Sequence, residues 1–254
     1  ELLKMPVTEK LAYLNMESAS VKTPYIFIAC GFLLVAVLFY FFHLPEVKDD
    51  NKTTKFSEFV KAFRHKHLSW AVFAQFAYVG AQVCVTSFFV RMAIKGGGVD
   101  EKTAGYYLGT IYGVLFLVGR FIGTLLTKYI ASHKLLTIYA VMASLLCLLA
   151  IFGNGSIVIY ALGAMGFFMS IMFPTIFALG LVNLGHETKI GGSLLVMAIV
   201  GGAIFPFIMG RIIDMYNDNI QAGYVVPLVC FLVIIYFGIR GYKVQEPEQH
   251  IELD

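Results

Sequence analysis

Residues 135–182 read LLTIYAVMASLLCLLAIF-GNGS-IVIYALGAMGFFMSIMFPTIFALGLV, two apolar runs joined by Gly153-Asn154-Gly155-Ser156. No Asp, Glu, Lys, Arg or His interrupts either run. Each is close to or longer than the roughly 20 residues that a helix needs to cross about 30 Å of hydrocarbon. Gly and Asn suit the turn between them, because both tolerate backbone conformations closed to most residues. The rest of the chain follows this pattern: 59% of its 254 residues are hydrophobic, only 14% are charged, and the mean hydropathy is +0.78. A soluble domain carries about 25% charged residues and about 45–50% apolar ones. Burying all of these runs in one soluble core would require an oversized core, so the pattern predicts an all-α, polytopic transmembrane helical bundle.

Working outward from that pair, seven spans are predicted: Pro24–His43, Leu68–Ile94, Ala104–Leu126, Leu135–Phe152, Ile157–Val182, Gly192–Ile213 and Val225–Ile239. Residues 1–23 are expected to be an outer loop, 44–67 a cytoplasmic loop, 68–240 a six-helix bundle and 241–254 a cytoplasmic tail. With the 44–67 loop inside, twelve of the 19 Lys and Arg lie on inner segments and seven on outer ones. The excess of positive charge on cytoplasmic loops then places the C-terminus in the cytoplasm. In the long loop Phe56, Phe59 and Phe63 share a helical face, the spacing of a short helix on the membrane surface. One span, a long inner loop and six closely spaced spans are what a twelve-span, two-bundle transporter leaves when cut near its middle. The mixed polar start at Glu1, without an initiator Met or a signal pattern, reads as a fragment lacking its N-terminal bundle.

The net charge of +3 is scattered through loops, and no basic patch suggests nucleic acid. Cys30, Cys84, Cys147 and Cys230 all lie within apolar runs without metal-type spacing, and read as small packing residues. No cofactor or metal site is expected. Neither a His-Glu-x-x-His motif nor a pair of intramembrane carboxylates is present, so an intramembrane enzyme lacks its parts. A seven-helix receptor remains an alternative by span count, although Asp-Arg-Tyr and Asn-Pro-x-x-Tyr motifs are absent.

The six later spans hold no Asp or Glu in their cores. Coupled transport usually requires a buried ionisable residue, so a coupling carboxylate is expected outside this chain. Uncharged polar residues are present instead. Gln75, Tyr78, Gln82 and Thr86 recur every three or four residues and form one stripe on the second span. Amide and phenol groups give and accept the hydrogen bonds that a sugar's hydroxyls need; alternatively the stripe bonds to a neighbouring helix. Gly105, Gly109, Gly113, Gly119 and Gly123 line the third span, where small residues favour close helix packing. Gly201-Gly202 and Gly210 read similarly on the sixth span, with a bend near Pro206. Pro174 removes the hydrogen-bond partner of the Ser170 carbonyl, and such a break often adjoins a cavity, making Met172, Phe173 and Thr175 candidates for its wall. Arg120 is expected to cap helix carbonyls or pair across a loop, a structural or gating role. His186 and Glu187 read as solvated.

Gln75-Phe-Ala-Tyr-Val-Gly-Ala-Gln82, Gly119-Arg-Phe-Ile-Gly-Thr124, Met169-Ser-Ile-Met-Phe-Pro-Thr-Ile-Phe177, Asn183-Leu-Gly185 and Val200-Gly-Gly202 occur in the order found in the L-fucose permease family of the major facilitator superfamily. The resemblance covers the chain from about Thr23 to the last span. It implies bacterial inner-membrane symport of a monosaccharide with H+ or Na+, through a central site exposed alternately to each side. Taken with the residue reading above, the candidates for sugar contact are Gln82, Tyr78, Gln75, Thr86 and Phe173, and those for packing or gating are Gly119, Arg120, Gly123, Pro174 and Asn183. The chain would comprise helix six and the C-terminal bundle, with lipid and the absent N-terminal bundle as partners. Met172-Phe173 stands where the fucose-type pattern has Gln-Tyr, and Thr86 near where it commonly has Trp. These departures point towards the glucose, galactose or N-acetylglucosamine branches.

Overall fold

A computed structural model describes residues 6–41 and 63–244, and they fall in two units that divide after Thr53. The described residues of the first unit form one helix, α1 (Val7–Phe41). The stretch expected to be an outer loop is therefore helical from Val7 onward. Residues 7–23 are mostly good helix formers with no Gly or Pro, and Glu9 in the first turn complements the positive end of the helix dipole. The apolar part, Lys22–Phe41, is long enough to cross a membrane, and no described residue of its own unit covers it. The surface helix expected around 56–63, and the tail beyond Val244, lie largely outside the described residues.

The described residues of the second unit form six helical spans. They comprise α2 (Lys66–Lys95), α3 (Glu101–Leu126), α4 (Ser132–Phe152), the pair α5 (Ser156–Met169) and α6 (Met172–Gly180), the pair α7 (Thr188–Met197) and α8 (Gly201–Met215), and α9 (Ile220–Gly223) with α10 (Val225–Tyr236). All seven expected spans are present, most of them starting a few residues earlier than the hydropathy suggests. The early starts follow from polar residues that favour helix ends. Asp100, for example, accepts a hydrogen bond from the Thr103 amide and so begins α3 ahead of its apolar run.

α2 is the axis of the bundle, with α6, α8 and α10 packed around it and α3, α4 and α5 completing the set. Lipid supplies no hydrophobic drive between helices, so contact relies on small residues that admit close approach. Such residues line α2 and its neighbours. Ala71 meets Gly180, and Gly202 fits against Val79 and Val83. Gly201 lies against the Phe76 carbonyl, so that a Cβ there would collide with backbone. Cys84, Cys147 and Cys230 are buried within this packing. Gly119 and Gly123 likewise bring α3 onto Phe167 and Ile171. Gly105 and Gly109 do not pack; among the described residues nothing lies within 4 Å of a Cβ at either. Their turns of α3 lead into and through a π-helical segment, Leu108–Tyr112, on a side with no neighbour in this unit. In the sixth span a 3-10 turn at Ala198–Val200 divides α7 from α8, ahead of Pro206.

Two polar clamps hold the ends of the bundle. At one end the His65 ring meets the Glu187 carboxylate at 2.8 Å and His67 Nε2 lies 2.9 Å from the Val182 carbonyl. Glu187 is thus paired, not simply solvated as its loop position implied. Asn183 and Gly185 have φ of 57° and 53° and turn the chain between those contacts. At the other end Arg91 reaches the Asp218 carboxylate at 2.9 Å and Lys95 bonds the same group. The Lys95 hydrogen bond, followed by the charges of Lys95 and Arg91, holds this carboxyl below the ordinary carboxylate range.

Candidate functional site

The fifth span is broken at Ser170–Ile171, between α5 and α6. Pro174 has no amide hydrogen, so the Ser170 carbonyl has lost its intrahelical donor. Arg120, on α3, supplies one: its guanidinium donates to Ser170 O at 3.1 Å. One residue earlier, the Met169 carbonyl accepts from the Tyr78 hydroxyl at 2.9 Å. Two side chains from two different helices therefore satisfy consecutive carbonyls at the break. Ser170 turns its own hydroxyl onto Phe167 O at 2.7 Å, and Thr175 turns its hydroxyl onto Ile171 O at the same distance.

The two glycines expected at close packing explain how Arg120 reaches its carbonyl. A Cβ at Gly119 would strike the backbone of Phe167, and one at Gly123 the side chain of Ile171. α3 can approach the break only because both residues lack that carbon, and Arg120 lies between them. A cavity of about 230 Å³ adjoins the break, lined by Thr124, Thr127, Ser132, Pro174 and Thr175 among others. Proline thus marks a cavity, as expected. Of the three proposed wall residues, Thr175 lines it, Met172 is buried in the core, and Phe173 faces elsewhere.

The polar stripe of α2 divides into residues already engaged and residues that are not. Tyr78 is 1% exposed and committed to Met169, the helix-bonding alternative. Its ring meets Phe173 edge-on at 6.2 Å between centroids, and Phe173 in turn stacks on Phe177. Thr86 donates to the Gln82 carbonyl of its own helix at 2.9 Å. Gln75 is fully buried, and neither of its amide atoms has a hydrogen-bond partner among the described residues. Gln82, one turn beyond Tyr78, is partly exposed, and its amide is also without a partner among the described residues. The site therefore offers one accessible amide a helical turn from Tyr78, with a second, buried amide two turns away on the same helix.

Asn183 lies away from this group, in the turn after α6, where its positive φ is the property used. The His65, His67 and Asp218 clamps were not legible in the sequence. Each joins residues more than a hundred positions apart, and no local motif marks such a pairing.

The comparisons with known proteins agree with this architecture. The family model of the Major Facilitator Superfamily matches residues 11–206. The L-fucose-proton symporter of Escherichia coli is 40% identical over 242 residues, covering 92% of this chain and 55% of that protein. A putative glucose/galactose transporter of Helicobacter pylori is 39% identical over 235 residues, covering 91% of this chain and 56% of that protein. Among solved structures, a crystal structure of the E. coli fucose:proton symporter superposes with a TM-score of 0.78 at 40% identity, over 96% of this chain and 60% of that one. A second, in the outward conformation, gives 0.78 at 39% identity over the same shares. The chain thus spans about half the length of the curated relatives it matches. The receptor alternative does not survive the family match, and the family is one of transporters, not enzymes. With seven helices among its described residues long and apolar enough to cross a membrane, a proline-broken fifth span and a family model matched over most of its length, this multi-pass membrane chain belongs to the major facilitator superfamily, close to its fucose and glucose/galactose transporter members.

Proposed function

We propose that the protein to which this chain contributes imports a monosaccharide by symport with H+ or Na+, by alternating access, in a bacterial inner membrane with the C-terminus cytoplasmic. Glucose, galactose, N-acetylglucosamine and fucose are the candidate sugars. The observation that carries the reading is the partly exposed Gln82 amide, without a partner among the described residues, on the same face of α2 as Tyr78, whose ring packs on the partly exposed Phe173. A neutral sugar needs such a combination, an amide to exchange hydrogen bonds with hydroxyls and a ring face against its C–H groups. The relatives named for fucose and for glucose/galactose transport support the same substrate class.

In this reading Gln82 and Phe173 contact sugar. Tyr78 and Arg120 position the broken helix from which Phe173 projects, and Gln75 and Thr86 form the rest of the polar stripe. Gly119, Gly123 and Pro174 set the break, and Asn183 turns the chain at its end. The spans of this chain carry no core carboxylate, so the group that responds to the cation belongs to the N-terminal bundle. Residues 24–43 then correspond to helix six and 68–240 to the C-terminal bundle. Calorimetric titration of the purified full-length protein with the four sugars tests the assignment. Saturable binding of one of them, weakened by Gln82→Ala, supports it, and no binding of any of the four contradicts it.

A further inference from the structure

We propose that the end of the bundle where α4 begins and the last span finishes is a binding site for the phosphate-bearing headgroup of an anionic membrane lipid. A cavity of about 470 Å³ lies there, with Lys134 and Lys243 on its rim. Both lysines flank the His133 and Tyr242 rings, so two ammonium groups converge on one opening. The His133 imidazole and the Tyr242 ring stack in parallel, 4.1 Å apart and 9° from coplanar, which gives the cavity a flat, rigid wall. Neither lysine forms an ion pair among the described residues, and no Asp or Glu lines the cavity. Arg240, exposed in the last turn of the final described helix, adds to the positive field.

The backbone is shaped around the opening. The last span ends in a π-helical turn, Phe237–Gly241, a wider coil often found at functional sites. Gly238 within that turn presses against the first turn of α4, where a Cβ would collide with the Thr137 hydroxyl and come within 3.2 Å of the His133 carbonyl. Thr137 already donates to that carbonyl at 2.8 Å, so its hydroxyl retains only accepting capacity. The positive end of the α4 dipole points the same way as the lysines.

Two features select a lipid over a soluble anion. Both spans that form the cavity end beside it, so its mouth lies at membrane-surface depth. Its deeper wall is Ile138 and Ile239, which are 50% and 52% exposed and offer an apolar surface to an acyl chain. Basic pockets between spans at this depth attract anionic headgroups.

The test is native mass spectrometry of the delipidated full-length protein, titrated with phosphatidylglycerol and with phosphatidylcholine. It includes Lys134→Gln/Lys243→Gln, Lys134→Arg/Lys243→Arg and a version ending at Val244. Phosphatidylglycerol should bind preferentially, weaken by roughly tenfold in the double Gln variant, and return in the double Arg variant. Millimolar inorganic phosphate should not displace it. Lys243→Gln alone, at the end of the last span, gives a milder variant if the double change prevents folding, and should weaken binding severalfold. The proposal is overturned if the Gln variants bind phosphatidylglycerol as the parent does, or if inorganic phosphate displaces the lipid. It is also overturned if lipid binds only after removal of residues 245–254, because the acidic segment carrying Glu246 and Glu248 would then be the occupant.

Discussion

Arg120 donates to the carbonyl of Ser170 at 3.1 Å, and Ser170 is the residue whose helical partner Pro174 has eliminated. The positive charge therefore has a defined task at membrane depth, the satisfaction of a proline-made vacancy on another helix. The relationship predicts a coupling between two residues on different spans. Arg120→Leu should destabilise the protein by about 1–3 kcal/mol, the cost of leaving a buried carbonyl unpaired. Pro174→Ala restores an amide hydrogen and should remove much of that cost. A double-mutant cycle read by thermal unfolding in detergent checks this, with an interaction energy of at least about 0.5 kcal/mol expected. Strictly additive effects would show that the bond is not used.

Tyr78→Phe removes the hydroxyl that satisfies Met169 while keeping the ring against Phe173. Loss of one buried hydrogen bond should lower stability by about 1–2 kcal/mol. Because Tyr78 is closed to solvent, transport should suffer through the shape of the break, seen as a reduced maximal rate with little change in KM. A large rise in KM alone would instead place the hydroxyl in direct contact with substrate.

Glycines of α3 should separate by position. Gly119→Ala drives a Cβ into the Phe167 backbone, which cannot move aside, whereas Gly113→Ala meets only the Leu108 carbonyl at 3.6 Å, an ordinary contact. The first substitution should cost several degrees in Tm. The second should leave Tm unchanged or raise it slightly, as expected for Gly to Ala within a helix. Equal effects would refute the packing described for this face.

The Asp218 clamp gives a pH dependence with a definite sign. Lys95 and Arg91 depress the carboxyl in the folded state, so its stabilising effect is present above the ordinary aspartate value and fades as pH falls through the folded value. The turn Tyr216–Asn219 should therefore exchange amide hydrogens faster, relative to the rest of the bundle, below about pH 4. Asp218→Asn should abolish that dependence and give uniformly faster exchange. The effect should be small and should weaken further in high salt, because all three side chains are solvent-exposed.

Gln75 carries the most direct conflict between stability and function. Both amide atoms are buried without a partner among the described residues. Gln75→Leu should consequently raise Tm. If the amide acquires a partner elsewhere in the transport cycle, the same change should reduce uptake. Lower Tm would show that the amide is satisfied in the intact protein.

The spans were legible because length and apolar continuity decide them, and the broken fifth span because proline acts on a carbonyl at a fixed offset. Arg120 could be assigned in advance to capping carbonyls, but not to Ser170, since residues 120 and 170 meet only when Gly119 and Gly123 let α3 approach. The stripe of α2 was legible as a stripe. The division of labour within it was not, because periodicity places Gln75, Tyr78, Gln82 and Thr86 on one face without saying which neighbour each meets. Gly105 and Gly109 show the opposite failure: their spacing matches that of Gly119 and Gly123, yet only the latter have a helix beside them.

Sugar uptake by the full-length protein in proteoliposomes, with and without imposed proton or sodium gradients, tests the central claim most directly. Radiolabelled glucose, galactose, fucose and N-acetylglucosamine should be compared in the parent and in Gln82→Ala. The account predicts gradient-driven accumulation of at least one sugar, driven by one of the two ions, and a loss of about tenfold in apparent affinity on removing the amide, the equivalent of about 1.4 kcal/mol of hydrogen bonding. No gradient-driven uptake of any of the four sugars would contradict the transport assignment. Undiminished uptake by Gln82→Ala would contradict the site.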